Sequence, residues 1–154
     1  KDAMRRLSNF SMDSVEYDGQ VYPSGEHAYQ AQKYAFAGRP DLVKMFYTNK
    51  FKTAAEAKSA GGKGGMAKNG VSMTPDQLKK FLAANDDIMQ KIVESKVKRN
   101  PEILNILRKL REHNIKVIHH SRTDMVWGAH MKPDASGVLR GENKLGEFYN
   151  NVKI

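Results

Sequence analysis

The apolar positions of the chain change period several times, and each change marks an element. Val15, Tyr17, Val21 and Tyr22 flank Asp18-Gly19, a dipeptide suited to the positive-φ turn of a two-residue hairpin. Pro23-Ser24-Gly25 closes that hairpin, and Ser24 is placed to N-cap a helix running to about Ala37. The pattern predicts two short helices over 41–47 and 53–59, then a flexible loop at Gly61-Gly62-Lys63-Gly64-Gly65. Thr74-Pro75 supplies the N-cap and first position of a longer amphipathic helix, in which Ile88, Met89, Ile92 and Val93 recur at helical spacing. Asn100-Pro101 restarts the helix by the same cap logic, with an apolar stripe of Ile103, Leu104, Leu107 and Leu110. These stripes are core. Residues 115–118 predict a short strand leading into His119-His120-Ser121, and 124–146 is loop-rich and holds the sole Trp. There are neither repeats nor a linker long enough to divide domains. The expectation is an α+β chain, mostly helical with a small β-sheet, forming a single domain over 1–154.

Composition supports a folded globule. A chain of 154 residues with 40% hydrophobic positions can bury a core of its own. The absence of cysteine removes disulfides, thiolate zinc sites and Cys nucleophiles. No apolar run reaches membrane-spanning length and nothing resembles a secretory segment, so a soluble cytoplasmic protein is expected. The chain opens on Lys1 rather than Met, as expected of a domain trimmed at its N-terminus.

Charge changes the picture more. Lys and Arg outnumber Asp and Glu by 26 to 17, a net of +9, which favours a polyanionic partner or an anionic substrate. The excess gathers in Lys96, Lys98 and Arg99 and in Arg108, Lys109 and Arg111, the residues expected to follow a DNA backbone. The ordinary alternative is a set of solvated basic helix faces.

Candidate chemistry begins on the first helix. From a start at Ser24, Glu26, Tyr29 or Gln30, and Lys33 share one face, with Glu26 and Lys33 about 10 Å apart along the axis. That spacing is too long for a direct ion pair but suits two sides of one ligand. Glu26 near a helix N-terminus favours an ionised carboxylate, and the same position is a routine stabiliser in many helices. Trp127 beside Gly128 is either a core plug or a face on which a planar base stacks. Asp124 is either an acid/base or ribose-holding group or a turn cap. Adjacent His119 and His120 on a strand point to opposite faces, so no metal site is expected, and no elbow surrounds Ser121 to make it a nucleophile. The glycine run at 61–65 lacks P-loop spacing.

Taken in order, LSNF at 7–10, DGQVYPSGEHAYQAQK at 18–33, DMVWG at 124–128 and GENKLGEF at 141–148 resemble the YbiA-like, or NADAR (NAD- and ADP-ribose-associated), domain family. Order and spacing agree over nearly the whole chain. Phe81 and His119 depart from the pattern, standing where the family carries Trp and Glu, and about two extra residues lie between Lys96 and Asp124. Those departures bear on the base side of the pocket.

The resemblance implies an N-glycosidase that cleaves a ribose C1–nitrogen bond without a cofactor. One family substrate class is ADP-ribose on the guanine amino group of nucleic acid, removed as antitoxin to a DNA-modifying ADP-ribosyltransferase or as phage counter-defence, in a bacterial or phage-infected cell. The other is the phosphorylated ribosylamino-pyrimidines of riboflavin synthesis. The positive charge favours the first; a catalytically silent ADP-ribose or nucleic-acid binding module is the third reading. Residues implied by match to the motifs are Glu26, Lys33 and Asp124 for catalysis. Ser8, Asn9, Tyr29, Trp127, Gly128, Asn143 and Gly146 are those implied for substrate. Glu26 would stabilise an oxocarbenium-like sugar or activate water. Lys33 would exchange onto C1 as a Schiff base if its pKa is lowered.

Overall fold

Asp18 and Gly19 adopt φ of 52° and 82°, the turn their sequence predicts, and bring Val15–Tyr17 (β1) against Gln20–Tyr22 (β2) in antiparallel register. The computed structural model describes residues 5–117 and 143–154, together with the backbone of 130–131 and 139–140. The chain divides into two compact units, 1–100 and 101–154, each described by itself.

In the first unit, helix α1 (Gly25–Phe36) follows the hairpin at once, N-capped by Ser24, whose hydroxyl accepts from His27 N. Its apolar positions join Val15, Tyr22, Phe46, Phe81, Ile88 and Ile92 in one core. The two short helices arrive as α2 (Pro40–Val43) continued by a 3-10 turn over Lys44–Phe46, and as α3 (Ala54–Gly61), capped by Thr53. The glycine run is not the expected loop. Helix α4 spans Lys63–Lys68 and contains Gly64 and Gly65. At Gly65 a Cβ would stand 2.0 Å from the Ser59 carbonyl oxygen, so glycine is there because α3 and α4 meet backbone to backbone. Helix α5 (Pro75–Arg99) opens on a full capping box between Thr74 and Gln77 and lays Ile88, Met89, Ile92, Val93 and Val97 into the core. It packs with α1 and β1.

Residues 5–14 are pinned to this frame by side chains. Arg6 pairs with Asp13, Asn100 Nδ2 donates to the Ser14 carbonyl at 3.1 Å, and the Ser95 hydroxyl accepts from Glu16 N at 2.7 Å.

The second unit holds α6 (Pro101–Glu112), with Ile103 and Leu107 buried, and α7 (Lys144–Asn151), with Leu145 and Tyr149 buried. A short antiparallel pair joins His130–Met131 (β3) to Leu139–Arg140 (β4). The strand expected from 115 is not formed over 115–117, and residue 118 lies outside the described residues. Side-chain amides take the place of a neighbouring strand. Val117 N donates to Asn150 Oδ1 at 2.7 Å, and the Val117 carbonyl accepts from Asn143 and Asn150 at 3.2 and 3.1 Å. Among the described residues no helix is long and apolar enough to cross a membrane. The expected class holds: mostly helical, with small antiparallel β elements.

Candidate active site

The segment Ser8-Asn9-Phe10 lies across the first turn of α1. Asn9 offers its carbonyl to Glu26 N at 3.0 Å, satisfying one of the amides that a helix start leaves open. The Asn9 side chain sits against Gly25, where a Cβ would come within 2.6 Å of Asn9 Oδ1. That oxygen is buried and finds no hydrogen-bond partner among the described residues. Ser8 contributes backbone and hydroxyl: its carbonyl accepts from Lys96 Nζ at 2.7 Å, and its Oγ accepts from Phe10 N at 3.1 Å.

Glu26 and His27, neighbours in sequence, go to different partners. His27 is fully buried; its Nε2 lies 2.9 Å from the Phe51 carbonyl and must carry the proton, leaving Nδ1 to accept from the Ser24 hydroxyl at 2.7 Å. Burial holds its pKa below the ordinary value, against the opposing pull of the Phe51 carbonyl and Glu56. It is a neutral structural group. Glu26 is also buried, and its Oε1 accepts from Gln30 Nε2 at 3.0 Å.

One and two turns on, the same face carries Tyr29 and Lys33. Tyr29 donates its hydroxyl to Asn85 Oδ1 at 2.6 Å and packs edge-on against Phe81. Lys33 is half-buried, its Nζ 5.7 Å from the Tyr29 ring centroid, and it donates to the Gly61 carbonyl at 3.3 Å. Tyr34 takes the Ala60 carbonyl at 2.7 Å, so α1 side chains close the C-terminal end of α3. Burial pushes the Lys33 ammonium below the ordinary lysine value; Glu26 opposes that shift and Lys58, on α3, reinforces it. The arrangement gathers on one face of α1 a buried carboxylate and a lysine whose charged form burial disfavours.

A groove of about 560 Å³ lies on a different face of α1, lined by Glu16, Tyr17, Gln32, Phe36 and Lys91 among others. It contains neither Glu26 nor Lys33.

The NADAR domain family model matches residues 1–154. The chain belongs to the NADAR domain family. It is 24% identical over 140 residues to the N-glycosidase YbiA of Escherichia coli (strain K12) and to that of Shigella flexneri, covering 91% of this chain and 74% of each relative. Protein irg-1 of Caenorhabditis elegans is 32% identical over 88 residues, 54% of this chain and 41% of that protein. The NMR structure of E. coli YbiA superposes with a TM-score of 0.65 at 21% identity, over 94% of this chain and 73% of that one. The fold is therefore that of YbiA.

Within this NADAR chain the first unit brings together Ser8, Asn9, Glu26, Tyr29 and Lys33. Asn143 and Gly146 belong to the second unit, where Asn143 starts α7 at φ 51° and a Cβ on Gly146 would crowd both Asn143 and the Val117 carbonyl. Asp124, Trp127 and Gly128, with His119, His120 and Ser121, lie outside the described residues. Phe81, at the family's Trp position, is 2% exposed and packs against Tyr29 and Phe36.

One residue expected on the basic surface needs correction. Lys96 is 0% exposed and holds the Ser8 carbonyl, so it is no part of a basic surface. Arg111 is exposed, and its Nη2 also donates to the carbonyls of Tyr149, Asn150 and Val152, at the C-terminal end of α7. Lys98, Arg99, Arg108 and Lys109 are exposed. Sequence reasoning passed over Lys58 and gave Phe10 no role of its own. The contact of Lys58 with Phe10 joins residues 48 positions apart and had no local signal.

Proposed function

We propose that this protein is an N-glycosidase that cleaves ribose C1–nitrogen bonds, with ADP-ribosylated guanine of DNA as substrate. The observation that carries the reading is the pairing of buried Glu26 with a Lys33 whose charged form is disfavoured, both on one face of α1. The relatives named N-glycosidase support it at the level of reaction type.

The two side chains divide the work. The exocyclic nitrogen pushes its lone pair toward C1, the C1–O4′ bond breaks, and O4′ takes a proton, giving an imine. The neutral Lys33 amine adds to C1, and the base leaves as its free amine after gaining a proton. Water then adds to the Lys33 imine, releasing the amine and an open-chain aldehyde sugar that recloses. Glu26, two turns earlier on the same face of α1, is the group that carries protons between these steps. Asp124 serves as the second carboxylate or ribose anchor and Trp127 as the base platform in the same proposal. Asn143 and Gly146 are kept in it as ribose- or phosphate-positioning residues.

A second reading, hydrolysis of phosphorylated ribosylamino-pyrimidines, gains from the burial of Lys96, because one fewer exposed cation remains to follow a nucleic-acid backbone. The deciding experiment offers both substrates. Release of ADP-ribose from a guanine-ADP-ribosylated oligonucleotide is expected. Cleavage of the pyrimidine phosphate alone would transfer the reading to the second class, and binding without cleavage of either would leave a binding module. Glu26→Gln is expected to lower turnover by at least ~100-fold. Near-normal turnover in that variant would remove Glu26 from the reaction.

A further inference from the structure

Beside the reacting pair, the first unit carries a second cation that the chemistry does not use. Lys58 lies on the exposed side of α3, one turn before Gly61, whose carbonyl receives Lys33. Its charge is close enough to Lys33 to lower that residue's pKa. Among the described residues no carboxylate stands within ion-pair distance of Lys58, although Lys80 and Lys91 on α5 each find an Asp one turn away. Instead Lys58 Nζ lies over the ring of Phe10, 5.6 Å from its centroid. Phe10 is 44% exposed, an unusual place for a large aromatic side chain. Its backbone is fixed from both sides, by the Ser8 hydroxyl and by the Asn9–Glu26 hydrogen bond. Phe10 and Lys58 therefore stand together at the edge of the site.

Among the described residues, Lys33 feels both the Glu26 carboxylate and the Lys58 ammonium. With no ion-pair partner among the described residues, the Lys58 ammonium is open to an anionic ligand. A solvated lysine side chain normally samples many rotamers; resting on an aromatic face restrains it and leaves its N–H donors outward. Lysine binds phosphate as such a point charge.

We propose that Lys58, held by Phe10, forms a phosphate-binding lip on the site built around Glu26 and Lys33. The ligand class is a phosphate or diphosphate ester, carried by the sugar whose C1 reacts. The identity of the site as a reacting centre rests on the N-glycosidase reading; the binding of the anion does not.

Inorganic pyrophosphate is the probe, with affinity read by titration calorimetry on the whole chain. The wild-type protein is expected to bind it, and Lys58→Ala to weaken binding at least ~10-fold, the worth of a charge-assisted hydrogen bond. Lys58→Arg retains affinity within about threefold, since the charge is kept. Phe10→Ala weakens it by a smaller factor, because the cation remains but is no longer restrained. Lys80→Ala, on the exposed face of α5, leaves it unchanged. Absence of pyrophosphate binding in the wild type, or equal affinity in Lys58→Ala, overturns the proposal. Glu26→Gln separates the two readings: it is expected to lose turnover yet keep pyrophosphate. A wild-type protein that cleaves neither glycoside but binds pyrophosphate through Lys58 would end the glycosidase reading and leave the lip standing.

Discussion

How Lys33 reacts depends on how much of it is neutral. Burial lowers its pKa, the Glu26 carboxylate pulls the other way, and Lys58 adds to the lowering. A nucleophilic amine is active in its deprotonated form, so turnover rises with pH through the Lys33 pKa, and that limb falls below the ordinary lysine value of 10.5. Removing the Lys58 charge removes a cause of the lowering, so in Lys58→Ala the limb of kcat moves to higher pH. A side chain that merely fills space would not move it. Borohydride reduction during turnover is expected to leave the sugar on Lys33, located by mass spectrometry. A Lys33→Ala protein with full turnover would exclude the imine route and return the reaction to direct attack by water at a Glu26-stabilised oxocarbenium.

At the scale of elements, local rules carried as far as the forces they describe are local. The Asp18-Gly19 turn, the Ser24 cap and the Thr74-Pro75 start were legible because each is a contract between residues a few positions apart. The glycine run at 61–65 misled because glycine signals both freedom and close approach, and only the tertiary meeting of α3 with α4 tells them apart. Its last two glycines differ in a way that can be measured. Gly65→Ala would drive a Cβ to 2.0 Å from the Ser59 carbonyl and 2.7 Å from the Ala60 Cα, both backbone, and is expected to destabilise by about 1–3 kcal/mol or more. Gly64→Ala meets nothing within 4 Å and gains helix propensity of up to about 1 kcal/mol. Denaturant midpoints for the two variants should move in opposite directions. Matching shifts would mean that the two helices do not touch as described. The expected strand after 115 failed for a related reason: Asn143 and Asn150 reach Val117 from more than 25 positions away. That Glu26 and Lys33 share one face of α1 was readable from helical spacing, whereas the contact of Lys58 with Phe10 required the fold.

At the scale of the whole molecule, the net charge of +9 misplaces one of its own contributors. Lys96 sits in a basic run yet also extends the buried stripe Met89, Ile92, Val93 and Val97, and the stripe prevails. Burial pushes its pKa down to about 7; Asp13 opposes the shift and Arg6 adds to it. The consequence for stability has a definite sign. In the unfolded chain Lys96 stays protonated up to about 10.5, while in the native state it gives up its proton near 7. Between those values the unfolded state binds more protons, so stability rises with pH; below 7 both states are charged and the full cost of burying the ammonium is present. Lys96→Met abolishes that titration and leaves the Ser8 carbonyl without its donor, an expected cost of about 1–3 kcal/mol. Other buried groups titrate in the same alkaline range, but they do so in both proteins. The difference in unfolding free energy between wild type and Lys96→Met should therefore grow in favour of wild type from about pH 7 to 10, by up to about 1.4 kcal/mol per unit. Parallel pH profiles would show that Lys96 keeps an ordinary pKa and faces water after all, which would restore it to the basic surface and strengthen the case for a DNA partner.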